Sequence, residues 1–428
     1  MTTGNAQTLP ADQVFVPDQV IVKLAPGAEI QKINSEYGTR VERRFLDNPN
    51  TRIYLLETER HLDVLELVAF AERLLDDRRI DDLAEPNFFV EAPEGSARHR
   101  AFPADGAKPS PELYSDPELA YPDSALNLSS AHGSYKGEGT TVAVLDTGAQ
   151  LGHPALKANF KGVARHDFVN GDKDPSEPPF ARNKQRRKNE MVGHGTHVAG
   201  IVDLVAPKAK IMPLRVLGRR GYGTVFNIAQ AITFADSKGA DVINLSLGTP
   251  DPTPLELGLN PPKLLRDKVN EAISGGAVVV AAAGNANSFE KNYPAAQDGL
   301  FAANEGLLAV TAVDFEEEKS SFANYGTWVD ISAPGEHILS TYPTSRYAYW
   351  SGTSMATPFV TGQAALIHQA DGSPDPAGVE EKIRRSARFA EFYKKNPSFV
   401  LCKLGAGHTD IGASLGQPGP GPNLCPTF

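Results

Sequence analysis

The sequence predicts an α/β protein whose main domain is a mainly parallel sheet covered by helices on both faces, preceded by a small α+β domain. Three observations carry this. Beyond Gly139, apolar runs such as Thr141 to Leu145 alternate with helix-length segments, the order of a parallel sheet wound through crossover helices. Those runs are apolar at every position, so both faces of the sheet must be covered. The first ninety or so residues instead show shorter, half-polar runs around a strongly amphipathic stretch.

In the first part, Gln19 to Leu24, Arg40 to Leu46, Thr51 to Glu57 and Asn87 to Glu91 read as strands, and Ile30 to Tyr37 and His61 to Arg79 as helices. That order, βαββαβ, is the split ferredoxin-like arrangement. Six prolines crowd residues 91–125 and no period survives there, which marks an exposed linker. The expected organisation is therefore a small domain over 15–91, a linker over 92–125 and a main domain over 126–416. The tail, 417–428, has four prolines in twelve residues and is expected to be disordered.

The main domain continues through helices near His194, Val225 to Lys238, Lys263 to Ser274 and Met355 to Gln369. Strands are expected at Ile211 to Val216, Asp241 to Leu247, Ala277 to Ala283 and Leu307 to Val313.

Composition limits what such a protein does. The 428 residues hold 42 Lys and Arg against 52 Asp and Glu, a net charge of −10, of which −6 falls in the first 100 residues. Neither part has the basic footprint of a nucleic-acid binder. The longest apolar stretch, Gly275 to Gly284, is far short of the roughly 18 residues of a membrane span. The opening MTTGNAQTLPADQ has neither a basic nor an apolar leader region. A cytoplasmic location is the default expectation, with secretion if a signal was removed or export is non-classical. In that setting Cys402 and Cys425 are expected as thiols, a bridge between them being the alternative.

Three apolar elements end in reactive side chains: Asp146 in VAVLDTG, His194 in GHGTHVAG and Ser354 in GTSMATP. Strand ends are where α/β sheets place their chemistry. A serine hydroxyl is a weak nucleophile until a histidine takes its proton, and a carboxylate fixes the imidazole tautomer and supports the imidazolium. Ser354 opens a helix with Pro358 expected in its first turn, which leaves N–H groups facing a developing oxyanion. The spacing of His194 and His197 suggests no metal centre, for no HExxH pattern or cysteine cluster accompanies it. His197 reads as a buried structural histidine. A G-x-S-x-G elbow is excluded because no glycine stands two residues after Ser354.

The order Asp, His, Ser and the blocks around it resemble the subtilisin-like serine proteases, the subtilases. The resemblance extends to VINLSLG at Val242 to Gly248, VVVAAAGN ending at Asn285, YPA at Tyr293 to Ala295, AVTAVD at Ala309 to Asp314, SFANYG with SAPG between Ser321 and Gly335, and GAGHTDIGASL. It implies a serine endopeptidase that works through Asp146, His194 and Ser354 and an acyl-enzyme, with Asn285 as oxyanion donor. Gly221, Tyr222 and Gly223 on one side, and Ser246, Leu247 and Gly248 on the other, match segments that hold an extended substrate by strand addition. Asn292 falls at the base of the S1 pocket, with Glu290 nearby, which implies a polar or medium-sized P1 side chain. Residues 19–91 resemble an inhibitory propeptide, so the implied partners are protein or peptide substrates and the chain's own N-terminal domain as intramolecular inhibitor. The alternative is a catalytically inactive peptide-binding relative.

Two departures qualify the resemblance. Only four residues separate Gly200 from Val205, where many secreted members carry a calcium-binding loop. No cofactor is therefore expected, although a structural calcium elsewhere stays open. The stretch Asp251 to Pro262 looks like an insertion at the rim of the substrate pocket, and Asp172 to Met191, with its KQRRK run, like a solvated loop.

Overall fold

The computed structural model describes residues 14–48, 50–95, 114, 126–180, 190–250, 261–296, 305–399 and 402–416. The chain divides into two compact units. One is Met1–Phe89 with Thr224–Phe226 and Pro252–Leu264; the other is Val90–Gly223, Asn227–Asp251 and Leu265–Phe428.

In the smaller unit the elements run β1 (Phe15–Leu24), α1 (Ile30–Tyr37), β2 (Thr39–Arg44), β3 (Ile53–Thr58), α2 (Val64–Leu75) and β4 (Ile80–Glu91). The strands lie in the order β2-β3-β1-β4, and each neighbouring pair is antiparallel. Both sides of the central strands are covered: the neighbours Ile21 and Val22 in β1, and Leu55 and Leu56 in β3, point to opposite faces yet are all buried, as are Ile33, Leu67 and Leu74 from the helices. Helix α2 starts later than its periodicity suggested because Asp63 caps it. The Asp63 side chain accepts from the Glu66 N–H at 2.9 Å, and Glu66 Oε2 accepts from the Asp63 N–H at 3.1 Å. The last strand begins seven residues earlier than expected. Asp81, Asp82 and Glu85 hide it from a hydropathy reading, yet Glu85 pairs with Ile21 and Ala84 with Val22 in the ladder.

The larger unit is built on a seven-stranded sheet. Its strands are β5 (Thr141–Asp146), β6 (His166–Asp167), β7 (Lys210–Arg215), β8 (Val242–Leu245), β9 (Val278–Ala282), β10 (Leu307–Val313) and β11 (Ile331–Pro334). They lie in the order β11-β10-β9-β8-β5-β7-β6, and all the pairings are parallel. Helices α3 (His194–Val205), α4 (Val225–Ser237), α5 (Lys263–Ser274), α6 (Thr353–Asp371) and α7 (Pro376–Ser386) accompany it. A hairpin absent from the sequence reading, β12 (Ile338–Tyr342) with β13 (Arg346–Trp350), pairs antiparallel beside α3. None of the described helices is long and apolar enough to cross a membrane.

Two expectations are corrected. The stretch after Glu91 is not uniformly an exposed linker: Ala92, Glu94 and Tyr114 are buried. Tyr114 donates its hydroxyl to the Gly200 carbonyl at 2.6 Å, because a phenol that loses water needs another partner. Most of the rest, 96–113 and 115–125, lies outside the described residues, as do the tail 417–428, the insertion 251–260 and Lys184 to Lys188. Secondly, Cys402 is not a thiol but disulfide-bonded; Cys425 lies outside the described residues.

Phe359 in α6 is fully buried among the strands that α6 crosses. Phe359→Ala should cost about 3–5 kcal/mol, the usual penalty for a cavity of that size. The denaturant midpoint would report it, and a loss under about 1 kcal/mol would contradict the packing described.

Candidate active site

The larger unit gathers its reactive groups at the carboxyl ends of its central strands. Asp146 is the last residue of β5, Ser246 follows β8 and Asn285 follows β9 by three positions. His194 is the first residue of α3 and Ser354 the second of α6. Asp146, His194 and Ser354 are each fully buried.

Asp146 Oδ1 accepts from its neighbour, the Thr147 N–H, at 2.7 Å and lies 2.7 Å from His194 Nδ1. Close approach here needs Gly195: a Cβ at that position would meet the Gly148 carbonyl and lie 3.0 Å from Asp146 Cβ. Thr147 Oγ1 accepts from the Gly195 N–H at 3.0 Å and donates to Glu177 Oε1 at 3.0 Å. Glu177 went unnoticed in the sequence. Burial pushes its carboxyl up to about 7, with the Asp146 charge adding to the rise against the hydrogen bonds it accepts. The indole of Trp350 stands edge-on to the His194 ring at 5.3 Å and closes off water.

Pro358 does not sit in the first turn of α6 as expected but inside the helix, and this has a local consequence. Lacking an N–H, it leaves the Ser354 carbonyl without its usual i+4 donor. Ser246 Oγ supplies the missing hydrogen bond at 2.9 Å. The serine backbone is thereby tied to the strand that flanks it.

Asn285 is oriented by Thr353. Its Oδ1 accepts from the Thr353 N–H at 3.0 Å and the Thr353 hydroxyl at 2.9 Å, so its Nδ2 must point away from them, toward the serine.

Between these groups stands a carboxylate that the sequence reading did not single out. Glu94 Oε2 lies 3.0 Å from His194 Nε2 and accepts from Ser354 Oγ at 2.7 Å. Glu94 Oε1 accepts from Asn285 Nδ2 at 2.9 Å and from the Ser354 N–H at 3.3 Å. Histidine and serine thus meet through the carboxylate. Burial works to drive the proton off His194, but the charge and hydrogen bond of Asp146, then those of Glu94, overcome it and raise its pKa to about 10. Burial pushes Glu94 up, yet the His194 hydrogen bond and charge, with those from Ser354 and Asn285, leave it below the ordinary carboxylate value.

The residues leading to Glu94 run as an added strand. Glu91 and Gly248 exchange two backbone hydrogen bonds at 2.9 Å, and the Ala92 N–H donates to the Gly221 carbonyl at 2.9 Å. Beside Pro93 opens a cavity of about 270 Å³, lined by Asn292, Glu290, Gly248 and Asn324 among others. Asn292 Nδ2 donates to the Ala282 carbonyl at 3.0 Å. Leu247 is buried, and Tyr222 and Gly223 continue from Gly221 as a short strand.

His197 is separate from this set: its Nε2 faces the Ile338 and Ala348 carbonyls at 3.1 and 3.0 Å, and burial holds its pKa down at about 3. Among the described residues no group of three or more His, Cys, Asp or Glu side chains is placed to hold a metal ion.

Known proteins share this architecture. The sequence profile of the subtilase family matches residues 137–410, and that of the fervidolysin N-terminal prodomain matches residues 2–80. Thermitase from Thermoactinomyces vulgaris is 43% identical over 242 residues, 54% of this chain and 76% of that protein. The thermophilic serine proteinase of Bacillus sp. (strain AK1) is 40% identical over 261 residues, 59% of this chain, and the match spans only 56% of that relative. The crystal structure of fervidolysin from Fervidobacterium pennivorans, a keratinolytic enzyme related to subtilisin, superposes with a TM-score of 0.69 over 96% of this chain and 63% of that one. At 22% identity it attests the fold. With the family profile spanning most of the chain and the site built at its strand ends, this protein belongs to the subtilase family and carries a prodomain-like N-terminal region.

Proposed function

We propose that this protein is an endopeptidase that cleaves through an acyl-enzyme, with Ser354 as nucleophile, His194 as general base and acid, and Asp146 as the partner of the imidazolium. The observation that carries this is convergence: His194 Nε2, Ser354 Oγ, the Ser354 N–H and Asn285 Nδ2 all reach one carboxylate, with distances of 2.7 to 3.3 Å. Four groups that share one small anion can equally share one peptide carbonyl.

With Glu94 withdrawn, a substrate strand takes the path of residues 90–92 between Gly221 and Gly248. Its scissile carbonyl oxygen takes the place of Glu94 Oε1, on the Asn285 amide and the Ser354 N–H. His194 accepts the Ser354 proton as Oγ attacks the carbonyl carbon, and the oxygen's new charge is met by those two donors. His194 then protonates the leaving amine. Water repeats the sequence on the ester and frees Ser354. Nucleophile, base and donors all come from this chain, so the reading calls for no metal.

The pocket beside Pro93 supports a polar or medium-sized P1 side chain, because Asn292 brings an amide but no charge and spends its Nδ2 on Ala282. The prodomain and the filled cleft support a precursor that inhibits itself. The disulfide at Cys402 favours an oxidising compartment over the cytoplasmic default.

Ser354→Ala should abolish hydrolysis of a chromogenic peptide while leaving the circular dichroism unchanged; comparable turnover would exclude the assigned nucleophile. Asn285→Ala removes one of two oxyanion donors. The corresponding loss in subtilisin itself is about 10²–10³ in kcat, and a loss of that size is expected here in kcat with little change in KM. An effect confined to KM would make Asn285 a binding group only.

A further inference from the structure

We propose that Glu94 is the inhibitory residue of the precursor, its side-chain carboxylate standing where the oxyanion of an intermediate or the carboxylate of a cleaved product would stand. This rests on the triad assignment above and adds what holds that triad silent.

The geometry is that of a product analogue built into the chain. One carboxylate oxygen takes both oxyanion donors, and the other takes the nucleophile's hydroxyl and the base's Nε2. The Glu94 side chain has no solvent exposure. Gly352 makes room for it: a Cβ there would collide with Glu94 Oε1. Residues 91 and 92 pair with the flanking segments as a substrate does, and Pro93–Gly95 then turns as a single 3-10 segment. That turn delivers a side chain, not a backbone carbonyl, to Asn285 and Ser354. The Pro93–Glu94 bond is therefore held close to the nucleophile yet protected from it, since its carbonyl cannot occupy donors already taken.

The contact is also ionic, and its pH dependence has a definite sign. The charged groups around Glu94 are His194 against it, Asp146 across the imidazole, Glu91 upstream in its own strand, and His197 and Glu177 farther back. Asp146 stays beside the imidazole when Glu94 leaves, so only the part of the His194 rise that Glu94 adds belongs to the plug. That part is complete below the pKa of the unplugged imidazole. It is lost progressively as pH rises toward about 10. The Glu94 pKa is lowered, so its contribution is complete above the free carboxylate value and lost on acidification. The plug holds best in mildly acidic solution and loosens toward alkaline pH.

The test uses the full chain and a fluorophosphonate, which bonds to Ser354 Oγ with loss of fluoride, read by intact mass so that cut and uncut chains are scored separately. Uncut wild-type chain should label at least tenfold more slowly than uncut Glu94→Ala at pH 6. Glu94→Gln keeps the shape but not the charge and should also label faster. The wild-type rate should climb with pH over a range displaced to the alkaline side of that of Glu94→Ala. Equal rates in the uncut chains, matching pH profiles, or wild-type chain found cut at Pro93–Glu94 would each overturn the proposal. Failure of every form to label would instead remove the triad assignment, and this inference with it.

Discussion

His194 has no contact with solvent, and a buried imidazolium is tolerated only because a carboxylate lies on each side of it, Asp146 Oδ1 at 2.7 Å and Glu94 Oε2 at 3.0 Å. A charge in this setting left with one partner or none would surrender its proton. Two anions around one cation leave a net negative cluster, and hydrogen bonds from Thr147, Ser354 and Asn285 to the carboxylates offset that excess. On the proposed assignment, the same contacts that settle the charge occupy the nucleophile and its oxyanion donors, and competence and silence are two states of one electrostatic arrangement.

The scaffold holds that arrangement from two sides. Parallel strands of similar length end along one edge, so Asp146, Ser246 and Asn285 arrive side by side without long loops. Two helices supply the other half, α3 beginning at His194 and α6 carrying Ser354 as its second residue. Pro358 is instructive because its cost to α6 is turned into a tie: the carbonyl it leaves open is held by Ser246, which also presents its own carbonyl 3.2 Å from Ser354 Oγ. Thr353 does the same for Asn285, fixing which end of the amide faces the serine.

Much of this was legible in the sequence. The wholly apolar runs before Asp146 and Asn285 can only be buried strands, and a reactive polar residue at the end of such a run stands out. Other features were not legible because they are decided between distant segments. Strand β4 carries Asp81, Asp82 and Glu85, and its pairing with β1 overrides its composition. The proline content around Ala92 and Glu94 reads as linker, although both residues are buried. Nothing local marks Glu94 as different from Glu91 three residues earlier; only the pairing of residues 91 and 92 with Gly248 and Gly221 decides which of the two acids reaches the serine.

The state of the His194 ring bears on all of this at once. Nuclear magnetic resonance of the full-length chain, with nitrogen-labelled imidazoles and the His194 signal assigned by its absence in His194→Ala, would follow that ring through a pH titration. The account predicts an imidazolium that persists through neutral pH and loses its proton only in the alkaline range, near 10. Titration at the ordinary histidine value of about 6.5 would contradict it, for it would mean that the two carboxylates do not hold the charge between them.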